Sequence, residues 1–505
     1  MTQETVKNPI IPLDYPDPDV IRVGDTYYMV STTMYFIPGC EILRSYDLVN
    51  WEHACFVYDK LDSTKAQRLE EGENIYGKGM WAASLRYHNN QFYVVFAAND
   101  TQKTYLYRTA SLEEKWTKTE IKGFYHDSSL FFDDDDKVYI VYGNRQIWLT
   151  ELEEDLSGPK EGGLHRIIVS EEGNQRLAYE GAHFYKINGH YYVFLIHSLP
   201  HEWKRTQACF MSHSLMGTFT GGDIVNDDID YHNQGVAQGG IVDTPKGDWY
   251  AVLFQDRGAI GRLPVLTPLT WQDNFPVISK NKTIPREFSV PNPNPKPDYE
   301  YAPLYGGDDF KNKTAHLHGL QSYWQFNHEP DLNGFKVNSD AGYVQLRNTS
   351  VQKTFTQARN MLTQRMLFPY SAAEVTIDAT DLNDGDIAGI AALQYRYGFI
   401  GVIKHNETYS LIVQTAHKET DNLVLQNALS DITISDPSCI TFRVEARFDN
   451  QMDSIRFFYE DSQIGSDHHV AFDLEHFTGC RHALFNWATK EINGSVRFSQ
   501  FKYLT

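Results

Sequence analysis

Five short segments of this chain read alike: "GDTYYMVS", "NNQFYVVFA", "DDKVYIVYG", "NGHYYVFLI" and "GDWYAVLF". Each opens on a turn-prone pair and continues with β-branched and aromatic residues, the pattern of a strand leaving a tight hairpin. Their tyrosines, Tyr28, Tyr93, Tyr139, Tyr192 and Tyr250, are spaced by 65, 46, 53 and 58 residues. A repeat of that length made only of strands is the sequence signature of a propeller blade. Five such units predict a five-bladed β-propeller.

Eleven or twelve residues ahead of the tyrosines stand Asp17, Trp81, Asp127, Glu180 and Gln238, in "YPDPDV", "GMWAAS", "YHDSSL", "YEGAHF" and "VAQGGIV". If the hairpins share one shape, these five occupy equivalent places at the start of the innermost strands and ring one end of the central cavity. Pro16 and Pro18 flank Asp17 and are expected to hold it extended. Three of the five are carboxylates, and three carboxylates around a pocket suit glycoside hydrolysis. One stays protonated to donate to the leaving oxygen, its pKa raised by burial or a neighbouring negative charge. A second activates water from the opposite face, and a third tunes the acid. Asp127 and Glu180 come from adjacent blades and Asp17 from farther round the ring, which suits an inverting separation of about 6.5–9.5 Å.

Hard oxygen ligands also suit calcium, but Trp81 and Gln238 interrupt the ring of donors. The run Asp133 to Asp136 reads as a solvated hairpin turn. "DLNDGD" (Asp381 to Asp386) carries Gly385 where a calcium loop needs a ligand, and "HSLPHEW" (His197 to Trp203) lacks the second histidine of a zinc-protease helix.

A formal net charge of −21 argues against nucleic acid or an anionic membrane as partner, and favours a neutral ligand. Aromatic residues make up 14% of the chain, and their flat apolar faces are what sugars stack on. The N-terminal stretch has no secretory pattern, no apolar run is long enough to span a bilayer, and the five cysteines are scattered without metal spacing. The expectation is a cytoplasmic protein with reduced thiols.

Residues 286–303 are proline-rich and lack periodicity, which reads as a stiff linker between a propeller at 1–285 and a second domain at 304–505. "YVQLRN", "AAEVTID", "YSLIVQT", "ITFRVEARFD" and "SIRFFYED" alternate polar and apolar residues, so this domain is expected to be an antiparallel β-sandwich. Tyr323 and Trp324 could form a sugar platform or sit in the sandwich core. A sandwich loop could also reach over the propeller and complete its pocket. Packing and pocket support rank above independent polysaccharide binding.

At "NPIIPLDYPDPDVI", "SYDLVNWE", "GMWAASLRYH", "FYHDSSLF", "YEGAHFYKINGHYY" and "GRLPVLTPLTWQDNFPVI" the chain resembles family 43 of the glycoside hydrolases. That family comprises five-bladed propellers that cleave arabinose- and xylose-containing glycans with inversion. "ARNMLTQRM" and "GDIAGIAALQYRYGFIGV" resemble the concanavalin-like sandwich often attached to it. The resemblance implies Asp17 as general base, Asp127 as pKa modulator and Glu180 as general acid, with Trp81 walling the sugar pocket and Arg262 contacting the glycon. The competing reading for Arg262 is a blade-closing ion pair. The family's β-xylosidases typically carry a phenylalanine where Met34 stands, a histidine where Gln238 stands, and "GRET" for "GRLP". These departures shift the expectation to an α-L-arabinofuranosidase acting on arabinoxylan or its oligosaccharides, with a β-1,4-xylosidase or bifunctional xylosidase/arabinofuranosidase on xylo-oligosaccharides as the alternative and a non-catalytic sugar-binding propeller as a remote one. The chemistry needs no cofactor. A structural calcium, which related propellers hold through that histidine, is left open but has no clear motif in this sequence.

Overall fold

The computed structural model describes residues 5–290, 296–313, 317–419, 422–448, 452–474 and 476–505. Among these, strands 19–277 form five four-stranded antiparallel sheets, each built from consecutive strands. The innermost strands are Asp19–Val23, Met80–His88, Ser129–Phe132, Glu180–Ile187 and Val236–Asp243. Hairpin chemistry explains the local turns. Asn89 and Asn90 both have positive φ, as do Asn188 and Gly189, the geometry that matches the twist of the strands they join.

The strands are apolar on both faces because each blade packs against two others. One apolar cluster fills each gap: Val30 to Trp116 between blades one and two, Val95 to Leu156 between two and three, and so on round the ring. No strand is shared between the first and last blades among the described residues. Their seam is closed instead by residues 8–15, which run along Arg262–Gln272. Tyr15 N donates to Arg262 O at 2.9 Å, Ile10 N to Pro264 O at 3.0 Å, and Asn8 exchanges two bonds with the Leu266 backbone. Thr5–Val6 also pairs with Phe288–Ser289, beyond the last blade.

The second domain is a sandwich of two antiparallel sheets around a large apolar core. Trp324 lies in that core, only 2% exposed and donating its indole N–H to Asp308, so it is no sugar platform. Tyr323 packs against the same core. Residues 291–295 of the expected linker lie outside the described residues. Residues 296–303 of that segment are docked on the first blade rather than held free as a spacer. Tyr299 Oη and Ala302 N both donate to Glu52, and Lys296 sits 3.9 Å over the Tyr46 ring.

The two domains meet through buried charge. Arg365 of the sandwich donates to Glu41 Oε2 at 2.7 Å and to Asp14 O at 2.7 Å, while Arg481 stacks 3.5 Å above the Phe36 ring. Burial alone would raise the Glu41 carboxyl, but Arg365 and His53 outweigh it and bring it down to about 2. A depressed carboxylate stabilises the fold above its unfolded pKa, and that contribution is lost as pH falls from about 4.5 towards 2. Glu41→Gln should therefore cost about 3 kcal/mol at neutral pH. Unfolding followed against pH should show the gap to wild type closing below about 4.5.

Candidate active site

The strand register shows how the ring residues are presented. Across the first hairpin of each blade, the repeat tyrosine faces Ile21, Arg86, Phe131, Tyr185 or Val242. In every blade, four residues before that partner, stands one with positive φ: Asp17 (52°), Ala82 (27°), Asp127 (47°), Gly181 (65°) and Gln238 (51°). Asp17, Asp127 and Gln238 are therefore equivalent as expected, whereas Trp81 and Glu180 stand one residue upstream of their equivalents. The pairing shifts at Trp81/Ser84, Glu180/His183 and Ala237/Gly239 mark bulges, which turn side chains out of the sheet alternation. The expectation of an extended Asp17 is also corrected. Its backbone is left-handed, a conformation aspartate tolerates better than most residues, despite the bias set by Pro18.

Both oxygens of Asp17 are engaged, and the residue is 4% exposed. Oδ1 accepts from Arg262 Nη1 at 2.6 Å and Oδ2 from Thr32 Oγ1 at 2.7 Å. Thr32 Oγ1 itself accepts the Ala82 amide at 2.8 Å, so its hydroxyl proton is free to point at Asp17. Arg262 also bonds Asp256 Oδ1 at 3.1 Å, and Arg205 Nε bonds the other Asp256 oxygen. Arg262 thus makes the blade-closing ion pair and reaches across the seam to Asp17.

Asp127 and Glu180 share His126. Its Nε2 lies 3.6 Å from Asp127 Oδ2 and 3.4 Å from Glu180 Oε2, and Asn144 Nδ2 donates to that same Glu180 oxygen. Burial raises the Asp127 carboxyl to about 7, helped by the charges of Glu180 and Asp17 and opposed by His126. Burial would raise Glu180 too, but His126, Arg205 and Asn144 hold it below the usual range. His126 rises to about 9 because the two carboxylates overcome its own burial. The raised group is thus Asp127, not Glu180 as expected, because the hydrogen-bond donors converge on Glu180. Two carboxyls this close titrate as a pair, holding one proton between them near neutral pH.

The walls come from both domains. Phe477, on a sandwich loop, stands edge-on to Trp81 with ring centroids 5.5 Å apart, and the Arg262 guanidinium lies 4.0 Å from its ring centre. Trp81 in turn meets His126 at 6.1 Å. The sandwich therefore reaches over the propeller, one of the three arrangements the sequence left open. Met34 is 1% exposed in the apolar cluster beneath Trp81 and Phe477, paired with Met80. Gln238 lies against Gly181, where any Cβ would fall 2.7 Å from its Cδ.

Among the described residues, one group could hold a metal ion: His126, Asp127 and Glu180, with donor atoms within 4.8 Å of one another. These are the atoms that share the acidic proton, so a cation there would displace it. Among the innermost strands, Arg86 of the second blade ties the first to the third, bonding Asp19 Oδ2 at 2.6 Å, Ser129 Oγ at 2.6 Å and Leu130 O at 2.8 Å.

Sequence reasoning missed His126, Asn144, Thr32, Arg205 and Phe477. His126 precedes Asp127 directly, and a histidine beside a carboxylate in "YHDSSL" is a signal that could have been weighed. Phe477 stands 350 residues after Asp127 and carries no local signal.

Comparison with known proteins agrees with this layout. The model for glycosyl hydrolases family 43 matches residues 6–276, and that for the β-xylosidase C-terminal concanavalin A-like domain matches residues 308–504. A β-xylosidase of Formosa agariphila is 24% identical over 99% of this chain and 90% of its own. A solved bifunctional GH43-CE protein of Bacteroides eggerthii is 35% identical with a TM-score of 0.85; it covers all of this chain, which spans 64% of that longer one. A solved GH43 glycoside hydrolase, engineered to display both endo-xylanase and exo-arabinofuranosidase activity, is 27% identical over 99% of this chain and 100% of its own, with a TM-score of 0.89.

Proposed function

Since the chain belongs to glycosyl hydrolase family 43, we propose that it is an inverting, exo-acting α-L-arabinofuranosidase that removes arabinofuranosyl side chains from arabinoxylan fragments. The observation that carries the reading is the division of labour among the buried carboxyls. Asp127 and Glu180 hold a proton jointly, and Asp17 is kept apart from them on the Arg262–Thr32 pair.

In this mechanism Glu180 delivers the proton it shares with Asp127 to the glycosidic oxygen, and the pair is reprotonated from solvent before the next turnover. Asp17 takes a proton from a water attacking the anomeric carbon from the opposite face. His126 and Asn144 orient Glu180. Arg262 and Thr32 fix Asp17, and Trp81 with Phe477 excludes bulk water from the reacting centre. Arabinose is favoured by Met34, Gln238 and "GRLP" at positions where β-xylosidases carry other residues, and the structural relative with exo-arabinofuranosidase activity supports it. The second reading, a β-xylosidase using the same three carboxyls, is favoured by the Formosa relative.

Release of p-nitrophenol from the aryl α-L-arabinofuranoside and the aryl β-D-xyloside tests the choice. Dominant arabinoside cleavage supports the first reading, and dominant xyloside cleavage the second. The active form must carry the shared proton, whose loss tracks the Asp127 value of about 7. The rate kcat/KM on an oligosaccharide should therefore be retained below that pH and fall as pH rises through it. A profile flat to pH 9 would contradict the shared-proton assignment.

A further inference from the structure

One carboxylate outside the catalytic three joins the propeller seam to the sandwich. Asp14 is 2% exposed. Its Oδ1 accepts the Arg262 amide at 2.7 Å and its Oδ2 accepts the Gly479 amide at 2.8 Å. The three backbones are in direct contact. A Cβ on Gly261 would lie 2.2 Å from Asp14 Oδ1, and one on Gly479 would lie 1.8 Å from Ile260 O. Cys480 N donates to Ala259 O at 2.8 Å, and the sandwich residue Asp453 accepts the Ala259 amide at 2.6 Å. The loop carrying Phe477 is thereby fastened to the turn that leads into Arg262, and both are fastened to the segment that leads into Asp17.

The residue type matters here. A carboxylate accepts on both oxygens, whereas an asparagine of the same shape offers one acceptor and turns an NH2 towards the second amide. Asp14 touches neither substrate nor reacting atoms in the mechanism above. It meets the amide of Arg262, whose guanidinium holds Asp17, and the amide two residues beyond Phe477, which packs on that guanidinium.

We infer that Asp14 is a positioning residue through which docking of the sandwich sets the geometry of the Asp17–Arg262 pair and of Phe477. The inference rests on the hydrolytic reading of the preceding subsection for its kinetic consequence but not for its structural one. It also gives the sandwich a role in turnover rather than in capturing polysaccharide.

The test is Asp14→Asn in the full chain, with two readouts. On whichever aryl glycoside the wild type cleaves, kcat should fall about 10²-fold, the cost of a small misplacement of catalytic groups, with KM changed far less. Independently of any substrate, hydrogen–deuterium exchange should quicken together in peptides covering 258–263 and 476–480, while the sandwich core stays protected. A folded variant with wild-type kcat, or with exchange unchanged in either peptide, overturns the inference, whatever happens to its melting temperature. If Asp14→Asn does not fold, Asp14→Ser, whose hydroxyl can still accept one amide, carries the same two readouts. The wild-type assay tests the hydrolytic reading, whereas the exchange experiment tests the coupling alone.

Discussion

Replacing Glu180 with alanine should slow hydrolysis of an arabinoxylan oligosaccharide by about 10³- to 10⁴-fold, yet spare much of the turnover of a dinitrophenyl glycoside. The contrast comes from what the proton is for. A sugar alkoxide is a poor leaving group and must be protonated as its bond breaks, whereas dinitrophenolate departs without help. Glu180 is held by His126 at 3.4 Å and by Asn144, so its removal leaves a defined gap rather than a collapsed site. Equal losses on both substrates would exclude Glu180 as the donor. Because the raised carboxyl is Asp127, at about 7, the same pair of substrates should be run on Asp127→Ala. A leaving-group signature at Asp127 and not at Glu180 would exchange the two roles.

Asp17→Ala should instead lose on the order of 10⁴-fold on both substrates alike, since water must be activated whichever group departs. Its fold should survive, because Arg262 keeps its bond to Asp256 at 3.1 Å and Thr32 keeps its bond from Ala82 at 2.8 Å. Circular dichroism checks the fold and paired kinetics check the loss. Wild-type product formation followed by NMR should show the anomeric configuration inverted at first appearance. Near-normal turnover by Asp17→Ala would remove the base from the mechanism.

The blades were legible because a hairpin advertises itself locally, through a turn pair and an alternating aromatic strand. The three carboxyls were legible because each sits a near-constant distance ahead of such a strand. The phase of the ring was not. The positive φ at Ala82 and Gly181, which moves Trp81 and Glu180 one place off the count, belongs to the backbone, and only the glycine hints at it. Nor could the chain show where the acidic proton rests, because that depends on His126, Asn144 and Arg205 arriving from three separate strands or turns. Phe477 is hidden for a related reason, since contacts between distant segments leave no periodicity. The proline-rich segment was read as a spacer from composition, while its docking depends on Tyr299 and on Ala302 meeting Glu52.

A ring whose ends share no strand has no interlock, so its persistence depends on whatever bridges the gap. Here much of that bridge belongs to another domain: Arg365 holds the start of the ring, while Asp453 and Cys480 hold its end. Propeller and sandwich are thus a buckle and its strap, and neither is a module that shuffling could exchange freely. Gene-level truncation at the linker would not trim an accessory from this enzyme. It would leave a hoop closed only by its own residues 8–15, stripped of the Arg365, Asp453 and Cys480 contacts and of the Phe477 wall of its pocket.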